Sequence, residues 1–178
     1  FTGKLSIRDD VIQIDNREFA RSEVVSIVPG EPNELNYWSG KASFGATLRR
    51  GNTDQTDITI QSHIWRRTAS TRLTLAYIGS FGEVDGEETI NNQRASETFD
   101  IFLTRRVFVT PTYFELFKDR FANIDFRATP AAGGGMTVVD QKPIEWDVAL
   151  FGGYRYTRFD SVPDGRRDTD ETVAAIGQ

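Results

Sequence analysis

Long segments in which apolar and polar residues alternate constrain this chain more than any other feature. Apolar or small residues occupy every second position from Trp38 to Leu48, and the same pattern runs through Ile58–Ile64, Leu73–Phe81, Phe99–Leu103 and Ile144–Tyr156. A period of two is typical of a β-strand whose two faces meet different surroundings. The pattern therefore predicts an all-β protein with an antiparallel sheet.

Two further segments are less regular but are also predicted to be strands. Residues 106–117 have apolar side chains at both odd and even positions and contain Pro111. Residues 125–139 contain Gly133-Gly134-Gly135, which we interpret as a bend. A last strand-like pattern begins at Ala174. We expect seven strands and the start of an eighth, hence a barrel of at least eight strands whose C-terminal part is missing and whose two chain ends are trimmed.

Strand length favours a membrane barrel. A membrane-spanning strand needs about 9–11 residues, whereas globular strands most often have about 5–6. Several segments are close to the longer value, and Tyr37-Trp38, Phe81, Tyr154 and Tyr156 suit the aromatic girdles of such barrels. Alternation alone does not distinguish this fold from a soluble sheet.

If the strands cross a membrane, one set of alternate residues is expected to face the lumen and the other set to face lipid. The residues expected to face the lumen are polar: Lys41, Arg49, Asp57, His63, Arg72, Arg94, Asp100, Arg127, Asp147 and Arg155. The residues expected to face lipid are apolar: Ile58, Ile60, Leu73, Leu75, Phe99 and Ile101.

Composition excludes several other classes. The net charge of -5 argues against a nucleic-acid partner, and the lack of cysteine excludes disulfides and thiolate metal sites. No run approaches the roughly 20 apolar residues of a membrane helix.

The N-terminal part reads as a separate module. Residues 1–29 are predicted to form a small, incomplete periplasmic β module with strands at Lys4–Ile7, Val11–Ile14 and Val24–Ile27. Residues 30–36 are the predicted linker, and residues 37–178 the barrel. An incomplete sheet can be extended by a partner strand, so an envelope protein is a possible partner of this module.

Turns of unequal length are predicted between the strands. Arg67–Ser70 and residues 140–143 read as short turns, and residues 82–93 and 158–170 as longer polar loops. Asn52-Thr53 following Gly51 is predicted to close a tight turn, because Gly and Asn tolerate the positive φ angles of such turns.

Few residues suggest chemistry. His63, the sole histidine, could act as a general base, and Glu115 with Asp119 could bind a cation or act as an acid/base pair. We favour a polar face residue for His63, because no serine lies in a nucleophile motif, and loop charge pairing with Lys118 or Arg120 for the carboxylates. We predict no catalytic residue, cofactor or metal.

A family resemblance rests on Trp38-Ser39-Gly40-Lys41-Ala42-Ser43-Phe44-Gly45, on the following Gly51-Asn52-Thr53, and on Glu115, Asp119, Phe121, Asp125 and Arg127. The chain resembles the bacterial salt-induced outer membrane proteins (YdiY-like), a family of unknown function. The resemblance covers nearly the whole chain and implies an outer membrane barrel with outer membrane lipid as its surroundings. At Gly133-Gly134-Gly135-Met136 the chain departs from the Gly-x-Gly-Tyr-like step that is usual in the family.

These observations leave several functions open. The leading hypothesis is a non-enzymatic outer membrane barrel that serves envelope structure, assembly or passive passage. A soluble or periplasmic barrel with its apolar face inward, binding an apolar ligand, is the first alternative. The others are a barrel docked in a larger envelope complex through residues 1–29 and a lipid-acting barrel enzyme.

Overall fold

The fold consists of two antiparallel sheets. A computed structural model describes residues 5–8, 11–20, 24, 33–141, 144–162 and 167–177. The small sheet has three strands and the large one eight, and in each sheet every strand pairs with its neighbours in sequence. The prediction of an all-β antiparallel fold with a small N-terminal module is confirmed.

The bounds of the elements are as follows: β1 Leu5–Arg8, β2 Val11–Ile14, β3 Arg17–Ala20, a 3-10 helix Glu34–Tyr37, β4 Trp38–Arg49, β5 Gln55–Arg67, β6 Thr71–Val84, β7 Glu87–Phe102, β8 Val107–Asp119, β9 Ile124–Gln141, β10 Ile144–Phe159 and β11 Thr169–Gly177.

The small sheet differs from the predicted module in its third strand. Val24 is described outside any strand, and the rest of the predicted strand Val24–Ile27 lies outside the described residues. The third strand is instead β3, which pairs with β2 through a turn at Asp15-Asn16. Its sequence, Arg-Glu-Phe-Ala, carries too few apolar residues to show strand periodicity. Of the predicted linker, the structure describes only residues 33–36.

The large sheet curls strongly toward one face. In a flat sheet β6 and β10, four strands apart, would be separated by roughly 19 Å. Yet Arg72 Nη1 on β6 donates to Asp147 Oδ2 on β10 over 2.9 Å, and the rings of Tyr113 on β8 and Phe151 on β10 lie 5.3 Å apart. We call the face that carries these four residues the inner face, and the opposite one the outer face.

The sheet is curled but not closed. Within the described residues, β4 pairs only with β5, and β11 pairs only with β10. All the residues of β4 are exposed as a result. The core lies away from β4, on strands β8 and β10, where Phe108, Tyr113, Ala149 and Phe151 are buried together.

The turn at Asp85-Gly86 corrects the predicted loop at residues 82–93. Strand β6 continues to Val84 and β7 begins at Glu87, so only two residues connect them. Asp85 has φ 51° and Gly86 φ 84°, which is the left-handed pair of a tight hairpin turn. The first half of β7 is polar and therefore shows no alternation in the sequence.

The Gly51-Asn52 connection also differs from its prediction. Residues 50–54 form a longer loop, in which neither Gly51 nor Asn52 has a positive φ. The side chain of Asp54 closes it by accepting the Gly51 N–H over 3.3 Å. This side-chain hydrogen bond closes the loop in place of the left-handed turn that the residue types suggested.

Candidate functional site

A charged network occupies the inner face at the core. Arg72 Nε donates to Asp100 Oδ2 over 2.8 Å, and its Nη1 donates to Asp147 over 2.9 Å. The hydroxyls of Thr110 and Thr137 donate to the second oxygens of Asp100 and Asp147 over 2.6 and 2.7 Å. Each carboxylate thus accepts from one arginine and one threonine, and this region is filled by its own side chains.

Aromatic rings surround this network. The guanidinium carbon of Arg72 lies 5.4 Å from the ring centre of Phe102 and 5.2 Å from that of Phe108. Cation–π contacts of this kind add to ion pairing where water is excluded. Asp100 is 2% exposed and Thr110 fully buried, so loss of the Arg72 contact would leave a buried carboxylate without a cation.

Two of the three consecutive glycines of β9 lie where the inner face is closely packed. A Cβ added to Gly135 would lie 2.6 Å from the Phe108 ring, and one added to Gly133 would lie 2.1 Å from the carbonyl oxygen of Leu150. The segment is a continuous strand paired with β8 and β10. Gly133 and Gly135 therefore serve close packing of the inner face.

The ten polar residues predicted for the lumen all occupy the inner face. The register aligns Lys41 with His63 and Thr47 with Asp57 on β4 and β5, and Arg72 with Asp100 on β6 and β7. Alternation along each strand puts the others on the same side: Arg49, Arg94, Arg127, Asp147 and Arg155. Whether this face lines a lumen stays a prediction.

The six residues predicted to face lipid all lie on the outer face. Ile58 pairs with Phe81, Leu73 with Phe99, and Ile101 with Val109. The outer face exposes many further large apolar side chains, among them Phe44 at 70%, Leu48 at 74%, Leu150 at 68% and Trp146 at 60%. Contact of this face with lipid likewise stays a prediction.

One carboxylate interrupts the outer face of the central strands. Glu97 on β7 lies between Leu75 and Phe114 in the register, and Thr112 donates its hydroxyl to Glu97 Oε1 over 3.2 Å. It borders a shallow outer groove of 580 Å³ with Pro111, Pro130 and Tyr154. Glu97 is an odd number of positions from Asp100, so alternation along the strand predicts that the two carboxylates lie on opposite faces.

An aromatic and charged cluster marks the start of β4. Arg66 Nε donates to Glu34 over 2.5 Å, and Trp38 Nε1 donates to the same carboxylate over 3.3 Å. The hydrogen bond from Arg66 lowers the pKa of Glu34. Arg66 also lies 5.9 Å from the ring centre of Tyr37, so the predicted girdle residues meet a cation at this strand end.

Two of the residues considered for chemistry have other roles. His63 is exposed on the inner face and meets the Trp65 ring edge-on at 6.3 Å. In the described part of the chain it makes no hydrogen bond to a serine or a carboxylate. Asp119 accepts the N–H groups of Phe121 and Ala122 and so shapes the β8–β9 turn.

The expected partners of Glu115 were wrong. Glu115 is on the inner face, where its carboxylate lies 3.7 Å from Arg94 Nη1 and accepts from the Tyr113 hydroxyl over 3.4 Å. Lys118 instead approaches Asp125, and Arg120 pairs with Glu88. Successive residues of a strand point to opposite faces, so Glu115 and Lys118, three positions apart, lie on different faces of β8.

Two other kinds of feature are absent from the described residues. Among the described residues no group of three or more histidine, aspartate or glutamate side chains is arranged to hold a metal ion. No helix in the same residues is long and apolar enough to cross a membrane.

Comparison with known proteins places the chain in a family. No curated protein and no solved structure matches it. Residues 42–177 match the family described as "Protein of unknown function, DUF481". This match begins within β4 and ends in β11, so it covers nearly all of the large sheet. The chain therefore belongs to the DUF481 family, that of the salt-induced outer membrane proteins that its sequence resembles.

Proposed function

We propose that this protein is a non-enzymatic β-barrel of the bacterial outer membrane, with its N-terminal module in the periplasm, and that it serves envelope structure, assembly or passive passage. The observation that carries the proposal is the direction of the curl. The sheet curls toward its charged face and turns its apolar face outward, which is the arrangement of a membrane barrel. Exposed apolar patches of this extent mark a membrane or protein contact.

The direction of the curl also argues against an apolar-ligand barrel. That alternative requires the apolar face to be concave, as in a soluble barrel that encloses its ligand. Here the concave face carries Arg72, Asp100 and Asp147 in direct hydrogen bonds. An apolar ligand on that side would have to displace a satisfied ion-pair network.

Strand length supports the same proposal. Strands β4 to β10 have between 12 and 18 residues, enough to cross a bilayer when tilted by about 45°. In hydrocarbon an unpaired strand edge is not tolerated. The proposal therefore requires that the open edges of β4 and β11 be paired, with each other or with further strands.

Cell fractionation tests the location. We expect the full-length protein in the outer membrane fraction of a density gradient, resistant to extraction by alkaline carbonate and released by detergent. A protease added to intact cells should spare the N-terminal module and cut it once the outer membrane is permeabilised. Recovery in the soluble fraction without detergent would overturn the proposal, and digestion of the module in intact cells would overturn its periplasmic side.

A further inference from the structure

Three arginines converge on the inner face beyond the Arg72 network. The register aligns Arg94 on β7, Phe117 on β8, Arg127 on β9 and Thr157 on β10 in one row. Arg155 precedes Thr157 by two residues on β10 and so lies on the same face. We call Arg94, Arg127 and Arg155 the arginine cluster.

The arginine cluster is incompletely neutralised. Glu115 approaches Arg94 only to 3.7 Å, which is an ion pair without a hydrogen bond, and the Arg94 side chain stays 53% exposed. Arg127 Nε donates to the neutral hydroxyl of Thr157 over 3.2 Å. By contrast, Arg72 has direct hydrogen bonds to two carboxylates.

The other carboxylates nearby do not supply the missing charge. Asp119 is engaged by the turn that follows β8, and Asp125 bonds to Arg158. Asp170, opposite Thr157 on β11, is exposed to water. Among the residues that the structure describes, the three guanidinium groups thus share one close carboxylate, that of Glu115.

Two buried polar atoms beside the cluster have no hydrogen-bond partner within the described part of the chain. The hydroxyl of Thr129 and Nε of Arg155 are both buried without a hydrogen bond, and Thr129 is fully buried. Thr129 pairs with Glu115 in the register, in the row next to Arg94, Phe117 and Arg127. A buried polar group without a partner is costly, and a bound ion or water is the usual explanation.

We propose that the arginine cluster binds a phosphate-type oxyanion on the inner face. Guanidinium groups present planar pairs of donors that match the oxygens of phosphate, and such charge-assisted bonds are strong. The ring of Phe117 holds Arg94 and Arg127 in place, with centroid distances of 5.1 and 5.5 Å. The bound oxyanion supplies an acceptor for Arg155 Nε and for the Thr129 hydroxyl. This proposal concerns the curled sheet itself and does not depend on its membrane location.

Calorimetric titration of the purified full-length protein with inorganic phosphate tests the site. Ionic strength is held constant with chloride, so that a general screening effect is removed. We expect Arg155→Gln to weaken phosphate binding by at least about tenfold, since a charged hydrogen bond contributes about that factor or more. Arg49→Gln, on the same face but exposed on β4, is the matched control and should bind as the wild type does.

The outcomes decide the proposal. If the wild type shows no phosphate-specific heat, or if Arg155→Gln and the wild type bind equally, the site does not exist. Circular dichroism checks that each variant is folded. If Arg155→Gln fails to fold, Arg94→Gln replaces it, because the Arg94 side chain is exposed and its ion pair with Glu115 is long. Unchanged affinity in that variant overturns the proposal in the same way.

Discussion

Arg72 is the residue on which the inner face most depends. It links β6 to β7 through Asp100 and to β10 through Asp147, and the Asp100 side chain is only 3% exposed. Removing one partner of a buried ion pair leaves a charge that neither water nor protein stabilises. The network is therefore expected to hold the sheet in its curled form.

Replacing Arg72 by Met tests this role. We expect the free energy of unfolding to fall by about 3 kcal/mol, because Asp100 is left uncompensated. Adding Asp100→Asn to Arg72→Met should recover part of the loss, since it removes the orphaned charge. Urea unfolding in detergent micelles measures both, with Arg49→Met as the exposed control. Equal stability of Arg72→Met and Arg49→Met would contradict the account.

Gly133 offers a second test at a single position. A Cβ there would lie 2.1 Å from the carbonyl oxygen of Leu150, so Gly133→Ala should destabilise the fold by about 1–3 kcal/mol through backbone displacement. Gly152→Ala is the control, because its Cβ meets nothing within 4 Å. Thermal unfolding of the two variants compares them, and similar losses would show that close packing at Gly133 is unimportant.

For single residues, the sequence predicts the sheet face on which a side chain lies better than it predicts which residues that side chain contacts. Parity alone predicts that Arg72, Asp100 and Asp147 share a side. Their direct contact depends on how far the sheet curls, which no local pattern encodes. For the same reason no local pattern predicts that Arg94, Arg127 and Arg155 lie close together, although each lies on its predicted face.

At the scale of strands and turns, the β6–β7 hairpin shows what local chemistry can specify. Its Asp85-Gly86 pair is a strong hairpin signal, but it lies within a polar stretch that suggested a loop. The strands continue because their backbone groups pair across the sheet even where side chains are polar. Alternation thus marks the part of a strand that meets two different surroundings, and misses its polar ends.

Replacing Gly86 by Ala tests the turn. Its φ of +84° is unfavourable for a residue with a Cβ, so we expect a loss of about 1 kcal/mol. Gly51→Ala, in a loop without positive φ, should change stability little. Chemical denaturation in micelles measures the difference. Equal effects of the two substitutions would argue against the left-handed turn.

Glu97 tests which medium the outer face of β7 meets. If that face lies in lipid, Glu97→Leu should raise the stability of the protein in bilayers by about 1–2 kcal/mol, because a carboxyl in hydrocarbon is costly. Glu87→Leu, at the exposed start of β7, is the control and should have little effect. Unfolding from lipid vesicles provides the comparison, and a loss of stability in Glu97→Leu would contradict lipid contact there.

At the scale of the whole molecule, the direction of the curl unites these observations. The sequence predicts two unlike faces and the number of strands in the large sheet. It does not predict which face becomes concave, because that follows from twist, from bulges such as the one near Pro111, and from long-range contacts such as Arg72 to Asp147. The choice between a membrane barrel and an apolar-ligand barrel depends on that one property.

Spin labelling along β6 tests the central claim most directly. The chain has no cysteine, so single cysteines can be introduced at residues 73 to 78 of the full-length protein and labelled in lipid bilayers. We predict that labels at Leu73, Leu75 and Tyr77 are accessible to oxygen dissolved in lipid, while those at Thr74, Ala76 and Ile78 are protected from it. Labels at Leu73, Leu75 and Tyr77 that react with a water-soluble nickel complex and not with oxygen would contradict the account.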